Sequence, residues 1–292
     1  MNTRWLKFRE VLHAVAATQN LDVELGQLDS AVVQRRLVQA VNMAVDFAWK
    51  FHLWPEAAWL FAAGEQDDAR TVFPLGFQVV GSFAEDPLAR WQGGSSTLPA
   101  QAPALQRWRE HGGRVVFETG RVVDTAFLQV RIPPPEFGVE ARSASTAYGE
   151  GELVYDPATG ECWRCQIAHT NSALPSAWAY WSPDVLYATN ELVWRGGWLF
   201  KSKGTYAPAD YAEPAYTAGW EGKWYKATEE WCPVRLPQYL LRAVLAGARA
   251  WLDSPDSEAM ERAMEGALST EIHDRVYTRK QGTATKPAGP RF

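Results

Sequence analysis

Cysteine is scarce and odd in number, with only Cys162, Cys165 and Cys232 in a chain of 292 residues. That excludes a disulfide framework as the source of stability and points to synthesis in a reducing cytoplasm. Long apolar runs are also missing. Candidates such as Ala57 to Ala63 fall well short of the ~18 residues that span a bilayer, so no membrane partner is expected. The first residues carry Lys7, Arg9 and Glu10 where a secretory leader needs an unbroken apolar stretch, so export by that route is not expected. An excess of basic charge is absent too: 29 Lys and Arg against 34 Asp and Glu give a net charge of -5. A surface given over to nucleic-acid phosphates is thereby excluded. No phosphate-cradling Gly-x-x-x-x-Gly-Lys-Ser/Thr, no Gly-x-Gly-x-x-Gly and no Gly-x-Ser-x-Gly elbow occurs, which removes the commonest signatures of enzymes.

What the chain has in abundance is tryptophan, fifteen residues, eight of them between Trp163 and Trp231. Such crowding serves either a core or a binding surface. With 47% hydrophobic and 22% charged residues, the composition is that of a folding chain. Its length suits about two domains and burial of about 75% of the unfolded surface.

Periodicity predicts an α+β chain. Trp5, Phe8, Leu12 and Val15, then Val33, Leu37, Ala40, Ala44, Phe47 and Phe51, recur at helical spacing on either side of a break at Asn20 to Gln27. Asp29 or Ser30 would cap the second helix and Pro55 would end it. Short β-type runs follow at Thr71 to Phe73, Phe77 to Phe83, Gly113 to Phe117 and Ala126 to Ile132, with a loop at Gly93 to Pro103 and a rigid exit at Pro133-Pro134-Pro135. Helix returns with Pro237 in a first turn, then Val244, Leu245, Ala248 and Leu252. A last helix carries Met260, Ala263, Met264, Ala267, Leu268 and Ile272, with Ser254 and Pro255 as its start. The expected organisation is a helical bundle formed by the helices of both ends, at 1–69 and 236–274. Inserted into it are a small β region at 70–140 and Trp-rich β modules at 145–187 and 188–235. A basic tail at 275–292 follows.

The two modules come from a degenerate repeat. Glu152-Leu153-Val154-Tyr155 is echoed by Glu191-Leu192-Val193-Trp194. After a Gly-containing turn, Trp163-Arg164-Cys165 is echoed by Phe200-Lys201-Ser202. Trp181 to Val185 would close the first copy and Trp231 to Val234 the second. Exposed rings in such a module stack on the apolar C–H faces of sugars. The candidates are Trp163, Trp178, Tyr180 and Trp181 in the first copy and Trp194, Trp198, Trp220 and Trp224 in the second. A module of about 40 residues also needs large rings for its own core, so most of these are expected inside.

Other chemistry is sparse. His13, His52, His111, His169 and His273 are scattered and lack His-Glu-x-x-His spacing. Cys162, Cys165, His169 and Cys232 could in principle form a Cys3His zinc site. Against it, a strand through 161–167 sends Cys162 and Cys165 to opposite faces, so no metal or cofactor is expected. Glu150 with Glu152, or Glu229 with Glu230, could be written as the acid and base of a glycoside hydrolase, but charged pairs near turns ordinarily face solvent.

Residues 148–155, then Gly160 to Cys165, Pro175 and Trp181, resemble the small carbohydrate-binding modules of the chitin-binding type, with a worse copy reaching Pro233. The remainder resembles the head-to-tail connector, or adaptor, proteins of tailed bacteriophages. The residues concerned are Leu37 to Phe51 running into Leu53-Trp54-Pro55-Glu56, Thr125 to Arg131 ending at Pro133-Pro134-Pro135, and Leu241 to Leu252 followed by Met260 to Arg275. The resemblance implies a structural, non-enzymatic virion protein made in the host cytoplasm and built into the neck. It would form a homo-oligomeric ring of about twelve subunits between the portal and a tail or neck protein. DNA would pass through its channel without sequence-specific binding, and a surface glycan is a further candidate partner. Arg275, Arg279, Lys280, Lys286, Arg291 and Phe292 are the candidates for docking to the portal. The alternatives are a polysaccharide-binding tail or receptor-binding protein, and a glycan-active enzyme using Glu150 and Glu152.

Overall fold

The computed structural model describes residues 4–19, 31–64, 78–83, 108–111, 114–117, 125–170, 173–182, 185–206, 214, 222–227 and 231–274. In chain order the elements are β1 (Trp5–Leu6), α1 (Phe8–Thr18), α2 (Ala31–Phe51), β2 (Ala58–Gly64), β3 (Gln78–Phe83), β4 (Trp108–His111), β5 (Arg114–Phe117) and β6 (Thr125–Arg131). There follow β7 (Ala147–Tyr148), β8 (Leu153–Asp156), β9 (Glu161–Cys165), β10 (His169–Thr170), β11 (Ala179–Tyr180), β12 (Leu192–Arg195) and β13 (Trp198–Ser202). The last are β14 (Trp224–Lys226), β15 (Trp231–Val234), β16 (Leu236–Pro237), α3 (Leu241–Asp253) and α4 (Ser257–Ile272). The protein is mixed α+β, with four α-helices and several small sheets among the described residues. It divides into two compact units: Met1–His52, Pro134–Ser172 and Pro233–Phe292 form one, and Leu53–Pro133 and Ala173–Cys232 form the other.

In the first unit, α1 begins after Lys7, whose backbone N–H donates to Glu10 Oε2 at 2.7 Å, a bond that satisfies an otherwise orphaned donor. Its buried face is Phe8, Val11, Leu12, Val15 and Ala16. Trp5, expected on the same helical stripe, instead lies in β1 and pairs with Pro237, while Leu6 pairs with Leu236. Pro237 therefore sits in a strand and not in a helical first turn. Along α2 the buried face is Leu37, Val38, Ala40, Val41, Ala44, Val45, Ala48 and Trp49. The expected stripe drifts off this face at its end: Phe47 is half-buried, Phe51 is 37% exposed, and the two rings pair with centroids 5.7 Å apart.

Helix α3 packs on α1, α2 and α4. Gly247 sits on its buried face, where a Cβ would run into Met264 Sδ and come within 3.2 Å of Ala44 Cβ, so α2 and α4 approach α3 closely at this point. Helix α4 is capped by Asp256, whose side chain accepts the Glu258 N–H at 3.0 Å, and not by Ser254, which ends α3. It buries Met260, Met264 and Leu268.

The β part of the same unit is joined to α1 by side chains. Strands β8 and β9 form an antiparallel hairpin, and β7 pairs with β10. Phe8 stacks on Phe137 at 5.1 Å and meets Tyr155 edge-on at 5.2 Å. Arg9 reaches the hairpin turn, donating to Pro157 O at 2.6 Å. Gly160, at φ 71°, closes that turn, and a Cβ there would lie 2.7 Å from the Arg9 side chain. Next to that turn the buried Glu161 pairs with Arg235 and, at 3.2 Å, with Lys7. Asn42 of α2 clasps the backbone of Phe137, donating to its O at 2.9 Å and accepting from its N–H at 3.0 Å.

In the second unit β2 and β3 flank β6, antiparallel on both sides, with a bulge between Val79 and Gly81. The apolar run Ala57 to Ala63, within the segment 1–69 expected to hold the N-terminal helices, mostly lies in β2, because each of its residues from Ala58 finds a partner on β6. Strands β4 and β5 form a separate hairpin, of which only the second was predicted. A four-stranded sheet runs β11-β12-β13-β14, with β11 parallel to β12 and the rest antiparallel. The predicted strand 71–73, the loop 93–103, the break 20–27 and the caps Asp29 and Ser30 lie outside the described residues.

Candidate functional site

Two segments carry the same hydrogen-bond skeleton, one in each unit. In the first, Arg142 N–H donates to Tyr155 O at 3.0 Å, Gly149 N–H to Glu152 Oε2 at 2.8 Å, Gly151 N–H to Cys165 O at 2.9 Å, and Cys165 N–H to Glu152 O at 2.8 Å. In the second, Trp181 N–H donates to Trp194 O at 3.1 Å, Ala188 N–H to Glu191 Oε2 at 2.9 Å, Asn190 N–H to Ser202 O at 2.9 Å, and Ser202 N–H to Glu191 O at 3.0 Å. Gly151 at φ 87° and Asn190 at φ 67° occupy the same left-handed station, which glycine and asparagine tolerate best. The spacing between copies is 39 residues up to Trp194 and 37 beyond the hairpin. Gly196 and Gly197, at φ 57° and 80°, make a tight two-residue turn where the first copy uses Pro157 to Gly160.

This skeleton relocates one predicted residue. Trp181, expected to close the first copy, hydrogen-bonds into the second, at the place Arg142 takes in the first. It also accounts for Glu152. Its carboxylate holds the turn at Gly149 as Glu191 holds the turn at Ala188. Glu150 is exposed, and Glu229 and Glu230 lie outside the described residues.

The aromatic candidates separate by burial. Trp163, Trp194, Trp198 and Trp224 are between 2% and 7% exposed. Trp178 and Trp181 are half-buried, and Tyr180 is 36% exposed. These three lie in or beside β11, an edge strand, where Trp178 meets Tyr180 at 5.3 Å and 84° and Tyr180 meets the buried Trp194 at 5.5 Å and 88°. Trp220 lies outside the described residues, as do Arg275, Arg279, Lys280, Lys286, Arg291 and Phe292.

The three cysteines are buried and form no disulfide. Cys162 accepts the Gly138 N–H at 3.2 Å, and burial pushes its thiol up to about 12. Cys165 is on the opposite face of β9, with Sγ 3.0 Å from Ile167 O and 3.3 Å from His169 Nδ1. Ser202, its equivalent in the second copy, likewise donates to a carbonyl two residues on, that of Gly204. A thiol and a hydroxyl therefore do the same structural work at this position. Cys232 donates to Gly197 O at 3.0 Å. Among the described residues no three His, Cys, Asp or Glu side chains converge in a way that could hold a metal ion. No described helix is long and apolar enough to cross a membrane.

An open groove of about 420 Å³ in the first unit was not foreseen. It lies between α2 and the segment 136–140, with Val38, Met43, Phe137 and Leu153 among its lining residues. Its walls come from parts of the chain about a hundred residues apart, and no local motif announces it. Compared with known proteins, the chain matches no family model, no curated protein and no solved structure.

Proposed function

We propose that this chain is a structural virion protein, an adaptor ring that joins the portal to the tail and surrounds the DNA channel. The observation that supports this reading most is the make-up of the first unit, in which helices from 8–51 and from 241–272 pack on one another although some 190 residues separate them. A ring component needs such a framework for lateral packing, here a helical bundle with the β segments as insertions, and closed rings reuse one such surface on every subunit. The segment 275–292, with five basic and no acidic residues, suits docking on a neighbouring ring. The modest negative charge of the whole suits a channel along which DNA slides. Negative-stain imaging of the full chain with the portal ring of the same particle tests the reading. A co-axial second ring is the expected image, and portal rings without added density would overturn it.

A second reading, glycan capture at a tail or receptor-binding protein, rests on the exposed Tyr180 and the half-buried Trp178 and Trp181 beside it. Calorimetric titration of the full chain with chitin oligosaccharides should give binding heat that Tyr180→Ala abolishes; no heat at any concentration would reject it.

A further inference from the structure

Helix α4 uses one narrow ridge for its own chain. Met260, Met264 and Leu268 are buried, and the residues on the far side of the helix stand in solvent. Gly266 is one of these. A Cβ added there would meet nothing within 4 Å, so packing within the chain gives no reason for a glycine in mid-helix, where it is among the poorest formers. Ala263 beside it is exposed as well. The backbone of α4 is thus bare over one turn, and the distance between packed helices falls with the size of the side chains at their contact.

Charge selects what can lie there. Beside the bare turn α4 carries Glu258, Glu261 and Glu265 against the single Arg262. On α3 the exposed charges are Arg242 and Arg249, with Asp253 3.9 Å from Arg249. Arg242, Glu258, Glu261 and Glu265 enter no ion pair among the described residues. The spacings match. Arg242 and Arg249 are seven residues apart, as are Glu258 and Glu265, which is two turns or about 10.5 Å along one side of a helix. Two such helices lying antiparallel therefore bring both arginines to both glutamates at once. Leu245 and Ala246, half-buried between the arginines, supply an apolar centre to the charged border. Within one chain this pairing does not form, because α3 and α4 pack through other sides, Gly247 against Met264.

We infer that the outer faces of α3 and α4 are the two halves of one contact between copies of this chain, with Arg242 and Arg249 of one copy opposite Glu265 and Glu258 of the next. Two different patches on each subunit make a head-to-tail contact, the kind that closes rings. The inference deepens the adaptor reading and rests on it for ring closure. Its test uses the chain without portal, so its failure removes this contact alone, whereas failure of the adaptor reading shows as portal rings without added density.

Sedimentation velocity of the full chain at low and high salt reads the association. The unaltered chain should self-associate, and less so as salt screens the pairs. An acidic variant, Arg242→Glu with Arg249→Glu, and a basic variant, Glu258→Arg with Glu265→Arg, should each associate at least about tenfold more weakly, since like charges then face each other. An equimolar mixture of the two should regain association, because each supplies the charges the other lacks. Gly266→Gln should block the contact by bulk while melting no lower than the unaltered chain. A chain that stays monomeric at every concentration would overturn the inference. So would charge-swapped variants that associate as well as the unaltered chain, a mixture that gains nothing over its components, or Gly266→Gln associating normally.

Discussion

Tyr148 and Tyr187 hold the same post in two separate units of the chain. The hydroxyl of Tyr148 accepts the Ser143 N–H at 2.7 Å and donates to Ser143 O at 3.2 Å; that of Tyr187 accepts the Ser182 N–H at 2.6 Å and donates to Ser182 O at 3.1 Å. Each phenol thereby ties itself to the backbone of a serine five positions earlier in its copy of the repeat. Both rings are buried, and burial raises the Tyr187 pKa above its ordinary value, keeping the hydroxyl a donor.

Tyr148→Phe and Tyr187→Phe should each cost about 1–3 kcal/mol, because each strands a serine N–H. Hydrogen exchange should place the loss in different units, at 143–165 for the first and 182–202 for the second. Equal protection in wild type and variants would show that these segments hold without the phenol.

Glu161 joins three parts of the first unit, through Lys7 before α1 and Arg235 between β15 and β16. Its side chain is 6% exposed and that of Arg235 10%, against 40% for Lys7. Glu161→Ala takes the carboxylate away from the buried Arg235 charge and should cost about 3–5 kcal/mol. Lys7→Met removes a half-exposed partner and should cost under about 1 kcal/mol. Urea unfolding of both variants measures the contrast, and equal losses would contradict it.

His13 on α1 has its pKa lowered, first by burial and then by the nearby Arg9 charge. The folded chain thus resists protonation at this site while the unfolded chain accepts it at the ordinary value of about 6.5. The stability this group contributes is present above that pH and is lost as pH falls from there toward the lower folded value. His13→Gln should remove that part of the slope. Thermal melts of the two proteins from about pH 7.5 to 5 should converge toward the acid end; parallel curves would show that His13 carries no such linkage.

The sequence announced what depends on near neighbours. Glu152 and Glu191 could be aligned by eye, and so could Cys165 and Ser202, since a hairpin and its flanking turn draw their bonds from within about 20 residues. The apolar period likewise marked α1, α2, α3 and α4. What it missed was set by distant partners. Trp5 reads as helical until Pro237 pairs with it, and Phe51 reads as buried until α3 covers the neighbouring face of α2 instead. Ala57 to Ala63 has no period to separate strand from helix, and β6 decides the matter. Among the aromatic candidates a ring-rich string could not say which rings are inside. Trp194 is covered in part by Tyr180, whereas Tyr155, its equivalent in the first copy, is met by Phe8 from α1.

The proposed assembly with a portal is tested by the native mass of the full chain alone and after mixing with the portal ring of the same particle. A stable complex with a ring-like number of subunits, about twelve, on each portal is expected. A monomer or trimer whose mass is unchanged by portal would contradict it.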